Sequence, residues 1–354
     1  MPQIVKINNK KLGASEPVYF IAELSANHNH DFERVIKLVH AAAEAGADAI
    51  KLQTYTPDTI TIKSDRPEFQ VDGTIWEGTD LYSLYQQAYT PWEWHKPIIE
   101  EATRLGLDAF SAPFDPTAVD FLEKLDVPIY KIASSELVDI PLLKLVASTN
   151  KPVILSTGMA IEEEVEEAVT TLRNHGCKEL ILLKCTASYP ALPEEANLNA
   201  IPMMSNKFKC PVGLSDHTLG SAVPITSVAL GACVIEKHFT LSRKDGGPDA
   251  AFSLEPHEFK EMVEQVKIAQ SSLGQAKLEP TKKEQIGLKF RRSLYVIKDA
   301  RAGDLITSEH IRSIRPAQGL HTRYHDIVIG QKFIKDVVSG TPLDLTMFEK
   351  DANS

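Results

Sequence analysis

A chain of 354 residues is long enough for one large domain and a small one, and 43% hydrophobic against 24% charged residues excludes a disordered chain. A net charge of -10 with no concentrated basic face argues against nucleic acid as a partner. No run approaches the roughly 20 apolar residues that a bilayer span requires.

The opening MPQIVKINNKKLG has basic residues with no apolar run behind them, which predicts no secretory signal. Short apolar runs then recur: VYFIAEL (18–24), AIKLQTY (49–55), DAFSAPF (108–114), IYKIAS (129–134), PVILSTG (152–158), LILLKCT (180–186), VGLSDH (212–217) and VIEKHF (234–239). Segments with helical spacing alternate with them, such as DFERVIKLVHAAAEAGA and EEEVEEAVTTLRNHG, and glycines stop those helices. Strands alternating with helices predict a parallel sheet, and eight such units predict a closed (β/α)8 TIM barrel over residues 1–275. The longest connection, residues 56–107, reads as a lid or substrate-binding element. Its aromatics Trp76, Tyr82, Tyr85, Trp92 and Trp94 are open to a second reading as a local packing cluster. Residues 276–289 are polar and read as a linker, and residues 290–354 as a small β-rich domain. The cysteines Cys177, Cys185, Cys210 and Cys233 form no CxxC pair and read as buried reduced thiols of a cytoplasmic protein.

Polar residues close the strands, at the barrel rim where such folds place their active sites. Glu23, Lys51, Gln53, Lys131, Ser134, Ser156, Lys184, Thr186, Ser215, His217, Glu236 and His238 all lie there. Residues two apart in a strand face one way, so Lys51 with Gln53, Ser215 with His217, and Glu236 with His238 should each point together. Two histidines on neighbouring strands can share a divalent cation. Lys51, Lys131 and Lys184, with the hydroxyls of Ser134, Ser156 and Ser215, suit a small substrate carrying two or three negative charges. Glu136 and Glu23 are candidates for proton transfer. A Schiff-base aldolase acting through Lys131 or Lys184, and a non-catalytic carbohydrate-binding protein, are the competing classes.

IAELSANHN, IKLQTY, SAPFD, KIASSE, LSTGM, CTASYP, GLSDHT and VIEKHFTL, in this order, resemble the sialic acid synthases, and the C-terminal domain resembles their antifreeze-like (SAF) domain. Within that family IAELSANHN, IKLQTYTPD and GTIWEGTDLYSLYQQAYTPWEWH are similar to the branch that makes pseudaminic acid, with neuraminate and legionaminate synthases as the alternatives. The resemblance implies a transferase of class EC 2.5.1 that joins phosphoenolpyruvate to 2,4-diacetamido-2,4,6-trideoxy-L-altrose, with phosphate lost by C–O cleavage. It implies that His217 and His238 bind the metal (manganese, magnesium or cobalt). Lys51, Gln53, Lys131, Ser134, Ser156 and Ser215 would bind phosphoenolpyruvate, with Lys184 beside the phosphate, and Glu136 would handle the water that adds at C2. Glu23, Tyr189, Glu236 and Asp249 would line the sugar side. Arg315, in SIRPAQG, would reach the partner's barrel, which implies a homodimer. Two positions depart from the neuraminate pattern: Ala187 where asparagine faces the phosphate, and Ala112 where a hydroxyl residue is common.

Overall fold

The structure, a computed structural model, describes residues 4–349; the chain ends included in the first and last predicted segments, residues 1–3 and 350–354, lie outside it. The chain divides into two compact units, Met1–Gly274 and Gln275–Ser354.

The first unit carries eight parallel strands: β1 (Tyr19–Glu23), β2 (Ala49–Thr54), β3 (Asp108–Pro113), β4 (Tyr130–Ile132), β5 (Val153–Ser156), β6 (Leu180–Cys185), β7 (Val212–Asp216) and β8 (Val234–His238). Each pairs with the next in the chain, and β8 pairs with β1, so the sheet closes as the sequence pattern predicts. Both faces of such a sheet are covered, which is why the strands read as continuous apolar runs. Leu182, Val234 and Ile154 are fully buried. The helices that follow the strands form the outer layer. Phe32–Glu44 begins at Asp31, whose carboxylate accepts from the amides of Glu33 and Arg34. Its Val35, Leu38, Val39 and Ala42 form the buried stripe. Asp115 caps Pro116–Lys124 in the same way.

The register decides what meets at the rim. His238 lies level with Glu23, Glu23 with Lys51, Glu236 with Ser215 and Ser215 with Cys185. Level residues on parallel neighbours share a face, so this set turns inward together.

The long connection divides into two parts. Trp92 and Trp94 begin an ordinary barrel helix, Trp92–Arg104. There Trp92 stacks on Phe121 at 4.7 Å and Trp94 meets Phe32 at 5.6 Å. These two are packing residues. The remainder holds a second helix, Leu81–Ala88.

In the second unit an antiparallel pair, Ser293–Val296 with Ile311–Ile314, sits over a core that includes Leu294, Val296, Ile306, Phe333 and Leu343. The segment read as linker is not featureless. It holds a helix, Lys282–Gly287, closed by a capping box between Thr281 and Glu284. No helix among the described residues is long and apolar enough to cross a membrane.

Candidate active site

The C-terminal ends of the strands surround a cavity of about 380 Å³. Its floor is charged. Lys51 Nζ lies 3.0 Å from Glu23 Oε2 and 2.8 Å from Glu236 Oε1, and Lys131 Nζ lies 3.5 Å from Glu236 Oε1. Ser215 Oγ donates to Glu236 Oε1 at 3.2 Å. All five side chains are buried. Burial alone would raise the Glu236 carboxyl, but Lys131 and Lys51 outweigh it and hold Glu236 below the ordinary carboxylate range. Burial pushes Glu23 the other way, above that range, against the pull of Lys51. Burial also lowers Lys131 to about 8, with Glu236 opposing it.

On the sugar-facing side proposed from the resemblance, Gln53 Nε2 donates to Glu23 Oε1 at 3.0 Å and to Ser25 Oγ at 3.1 Å. Ser25 Oγ in turn donates to Asp249 Oδ2. Ser25 holds this position with φ of 43°, in the left-handed region that a β-carbon disfavours. The sequence reading passed over Ser25, because a lone serine in a loop carries no motif.

His217 and His238 come together as predicted, with ring centroids 5.2 Å apart. His217 Nδ1 donates to the Thr186 carbonyl at 2.8 Å, which leaves the lone pair on Nε2 in the neutral ring. His238 Nδ1 is buried with no hydrogen-bond partner and lies 3.9 Å from Asp249 Oδ2. Burial, then the neighbouring His217 and Lys51, push His238 well below its ordinary value, toward the neutral form that a ligand needs. Among the described residues no group of three or more His, Cys, Asp or Glu side chains has the geometry of a metal site. The two ring nitrogens with free lone pairs, His217 Nε2 and the unpartnered His238 Nδ1, are donors of the kind a divalent cation takes.

Glu136 Oε2, Ser156 Oγ and Glu236 Oε2 are among the buried oxygens that lack a hydrogen-bond partner. A buried polar atom is stable there only if something bonds it. Glu136 sits on the 3-10 turn Ser135–Val138 just beyond β4, and burial raises its carboxyl to about 7. Ser134 Oγ accepts from the Gly158 amide at 3.0 Å. A β-carbon at Gly158 would meet Ser134 Oγ at 2.7 Å and Ala187 Cβ at 3.1 Å, so only glycine fits this corner.

Lys184 does not join the other two lysines. It lies level with Leu214 on the outer face of the sheet, while Cys185 takes the inward position. Lys184 Nζ donates to the Cys185 carbonyl at 2.8 Å and to Thr186 Oγ1 at 3.3 Å, and it lines a separate cavity of about 350 Å³ with Met203 and Phe208. Cys185, read from the sequence as a buried reduced thiol, also lines that separate cavity and has His217 as a neighbour. Burial would raise it, but the neighbouring His217, Ser134 and Lys131 lower it to about 7. Strand parity is the signal that separates Lys184 from Cys185. Ala112 is buried on β3, level with Gln53.

Tyr189 leans on His217 with centroids 4.5 Å apart, and Phe252 on His238 at 4.9 Å. Arg315 belongs to the second unit and is exposed there. Its turn is pinned by Ser293 Oγ, which donates to the Pro316 carbonyl at 2.7 Å and accepts from the Gly319 amide at 2.9 Å.

Residues 38–278 match the NeuB family and residues 291–349 the SAF domain. The pseudaminic acid synthase of Campylobacter jejuni subsp. jejuni serotype O:23/36 is 44% identical over 92% of this chain and 95% of its own. The N,N'-diacetyllegionaminic acid synthase of Legionella pneumophila is 37% identical over 96% and 97%. Among solved structures, N-acetylneuraminic acid synthetase from Leptospira borgpetersenii superposes with a TM-score of 0.72 at 34% identity, covering 82% of this chain and 97% of that one. A matched span this long, over the barrel that carries the charged cavity, places the chain in the NeuB family, with a SAF domain behind it.

Proposed function

We propose that this protein condenses phosphoenolpyruvate with 2,4-diacetamido-2,4,6-trideoxy-L-altrose and water, giving pseudaminic acid and phosphate. The observation that carries the reading is the shared cavity. Lys51, Lys131, Ser134, Ser215, an unpaired Glu236 oxygen and two imidazoles line it, in a chain 44% identical to a pseudaminic acid synthase.

Lys51 and Lys131 attract the phosphate and carboxylate of phosphoenolpyruvate, and Ser134, Ser156 and Ser215 supply short hydrogen bonds. Gln53 orders the Glu23 side of the floor. His217 and His238 would hold a divalent cation, which when bound supplies Lewis acidity to a carbonyl oxygen. With the two substrates held face to face, C3 of phosphoenolpyruvate forms a bond to the aldehyde carbon, whose oxygen takes up a proton. Water adds at C2, its proton passes to Glu136, and phosphate leaves with the C2–O bond. Asp249, Tyr189, Glu23 and Glu236 border the sugar. Lys184 is left out of this scheme because it faces another cavity. A Schiff base on Lys131 is disfavoured by its ion pair with Glu236. Arg315 of a second copy would complete the sugar site, making the working unit a cytoplasmic homodimer.

The 37% identity to a legionaminate synthase keeps a second reading, with a stereoisomeric 2,4-diacetamido sugar as substrate. Incubation with phosphoenolpyruvate and each sugar, with phosphate release and product NMR as readouts, tests both. Pseudaminic acid from the altrose derivative is expected. Equal turnover of N-acetylmannosamine would move the assignment to neuraminate synthesis, and no phosphate release from any sugar would refute it.

A further inference from the structure

Helix Leu81–Ala88 presents an unusual surface. Its apolar residues fall at Leu81, Leu84, Tyr85 and Ala88, one face at helical spacing. Such a stripe ordinarily packs into a core. Here no residue of the helix is buried, and those four side chains line the cavity of the candidate site. The polar face carries the anchors. Asp80 caps the helix by accepting from the Ser83 amide at 2.9 Å, and Tyr82 donates to Asp58 at 3.1 Å. That contact, with His30 Nε2 on the Gln86 carbonyl at 3.1 Å, holds the helix with its apolar face over the cavity.

Val71 and Trp76, from the same connection, continue this surface. Trp76 Nε1 donates to the Pro248 carbonyl at 2.8 Å, and its ring lies 5.6 Å from Tyr189. Tyr189 touches His217, so the aromatic contacts lead from the histidine pair at the floor to the roof. The cavity therefore has two chemistries: charge below, where the reacting atoms belong, and hydrocarbon above.

We infer that the Leu81–Leu84–Ala88 stripe, with Val71, reads the methyl-bearing end of the sugar, and that it makes this helix the element selecting a 6-deoxy substrate. The inference rests on the proposed synthase activity. The aldehyde end must face the imidazoles, which leaves the far end of the open-chain sugar toward the roof. In the proposed substrate that end carries the C6 methyl and an acetamido methyl. A hydroxymethyl group in the same place would bury a hydroxyl against leucine and valine side chains, leaving it short of partners. An apolar wall rejects an added hydroxyl only moderately, by about a hundredfold or less, so the preference should be graded and not absolute.

The test compares kcat/KM for the 6-deoxy 2,4-diacetamido sugar and its 6-hydroxy counterpart in wild type, Leu84→Asn and Leu81→Asn. Gln87→Ala, on the exposed face, serves as control. Because the helix contributes nothing to the core, the variants should melt with the wild type, and thermal unfolding checks this. The expected result is a fall of about tenfold in the 6-deoxy to 6-hydroxy ratio for the leucine variants, from loss on the 6-deoxy sugar alone. An unchanged ratio in folded Leu84→Asn and Leu81→Asn, or an equal shift in Gln87→Ala, overturns the inference and leaves the synthase reading intact. A wild type that condenses neither sugar overturns both.

Discussion

The proton-accepting role proposed for Glu136 comes with a measurable cost in stability. Its carboxyl, raised by burial from 4.5 to about 7, binds a proton more tightly in the folded chain than in the unfolded one. The stability it contributes is therefore full below about pH 4.5 and is lost as pH rises through about 7. An amide does not titrate. Glu136→Gln should thus gain on wild type in urea midpoint between pH 5 and pH 8 while losing about 10²–10⁴ in turnover. Unchanged turnover would reduce Glu136 to a structural carboxylate. For the imidazoles, His217→Ala or His238→Ala should abolish tight manganese binding by calorimetry. Chelation of wild type should remove nearly all turnover, by about 10²–10⁴, until manganese, cobalt or magnesium is restored. Full turnover in metal-stripped protein would sink that assignment. At this scale much of the site was legible: Ser215 with His217, and Glu236 with His238, follow from a period of two. Lys184 was misplaced because its position near the rim was weighed without the parity that Cys185 satisfies. Ser25 escaped because its partners, Gln53 and Asp249, are brought to it only by the closed barrel.

Strand β8 shows how one element serves both sides of the sheet. Glu236 and His238 turn inward, while Lys237 between them turns outward and is buried against Asp216, Nζ to Oδ2 at 2.7 Å. Burial lowers Lys237 from its ordinary value, with Asp216 as the main opposing influence. Lys237→Met removes one partner and strands the other, so it should destabilise the fold by about 3–5 kcal/mol in urea unfolding. A loss below about 1 kcal/mol would mean that Thr218, which also donates to Asp216, suffices. The barrel strands were readable because each short apolar run is isolated between helical patterns and bounded by turns. Helix Leu81–Ala88 was not, because its stripe looks like any core-facing helix until the cavity beneath it is seen. The helix Lys282–Gly287 was hidden in a polar segment, where TKKE is a capping signal without an apolar run behind it.

At the scale of the molecule, the proposed role of Arg315 makes the active site a joint product of two chains. Arg315→Ala and His217→Ala proteins, each inactive, should regain up to about a quarter of wild-type activity after mixed refolding. Random pairing makes half the dimers mixed, each with one intact site. If Arg315 serves its own barrel, every site keeps one lesion and nothing returns, even with subunit exchange confirmed. The closure of β8 on β1 carries a different consequence, one of timing. Glu23 belongs to the first strand and His238 to the last, and their level pairing exists only once the ring is complete. On a growing chain Lys51 and Lys131 emerge long before Glu236, which pairs with both. Glu236, His238 and Asp249 come off the ribosome last among the barrel's working groups. If the proposed roles of Glu236, His238 and Asp249 hold, a chain truncated before Asp249 should show no synthase activity at all.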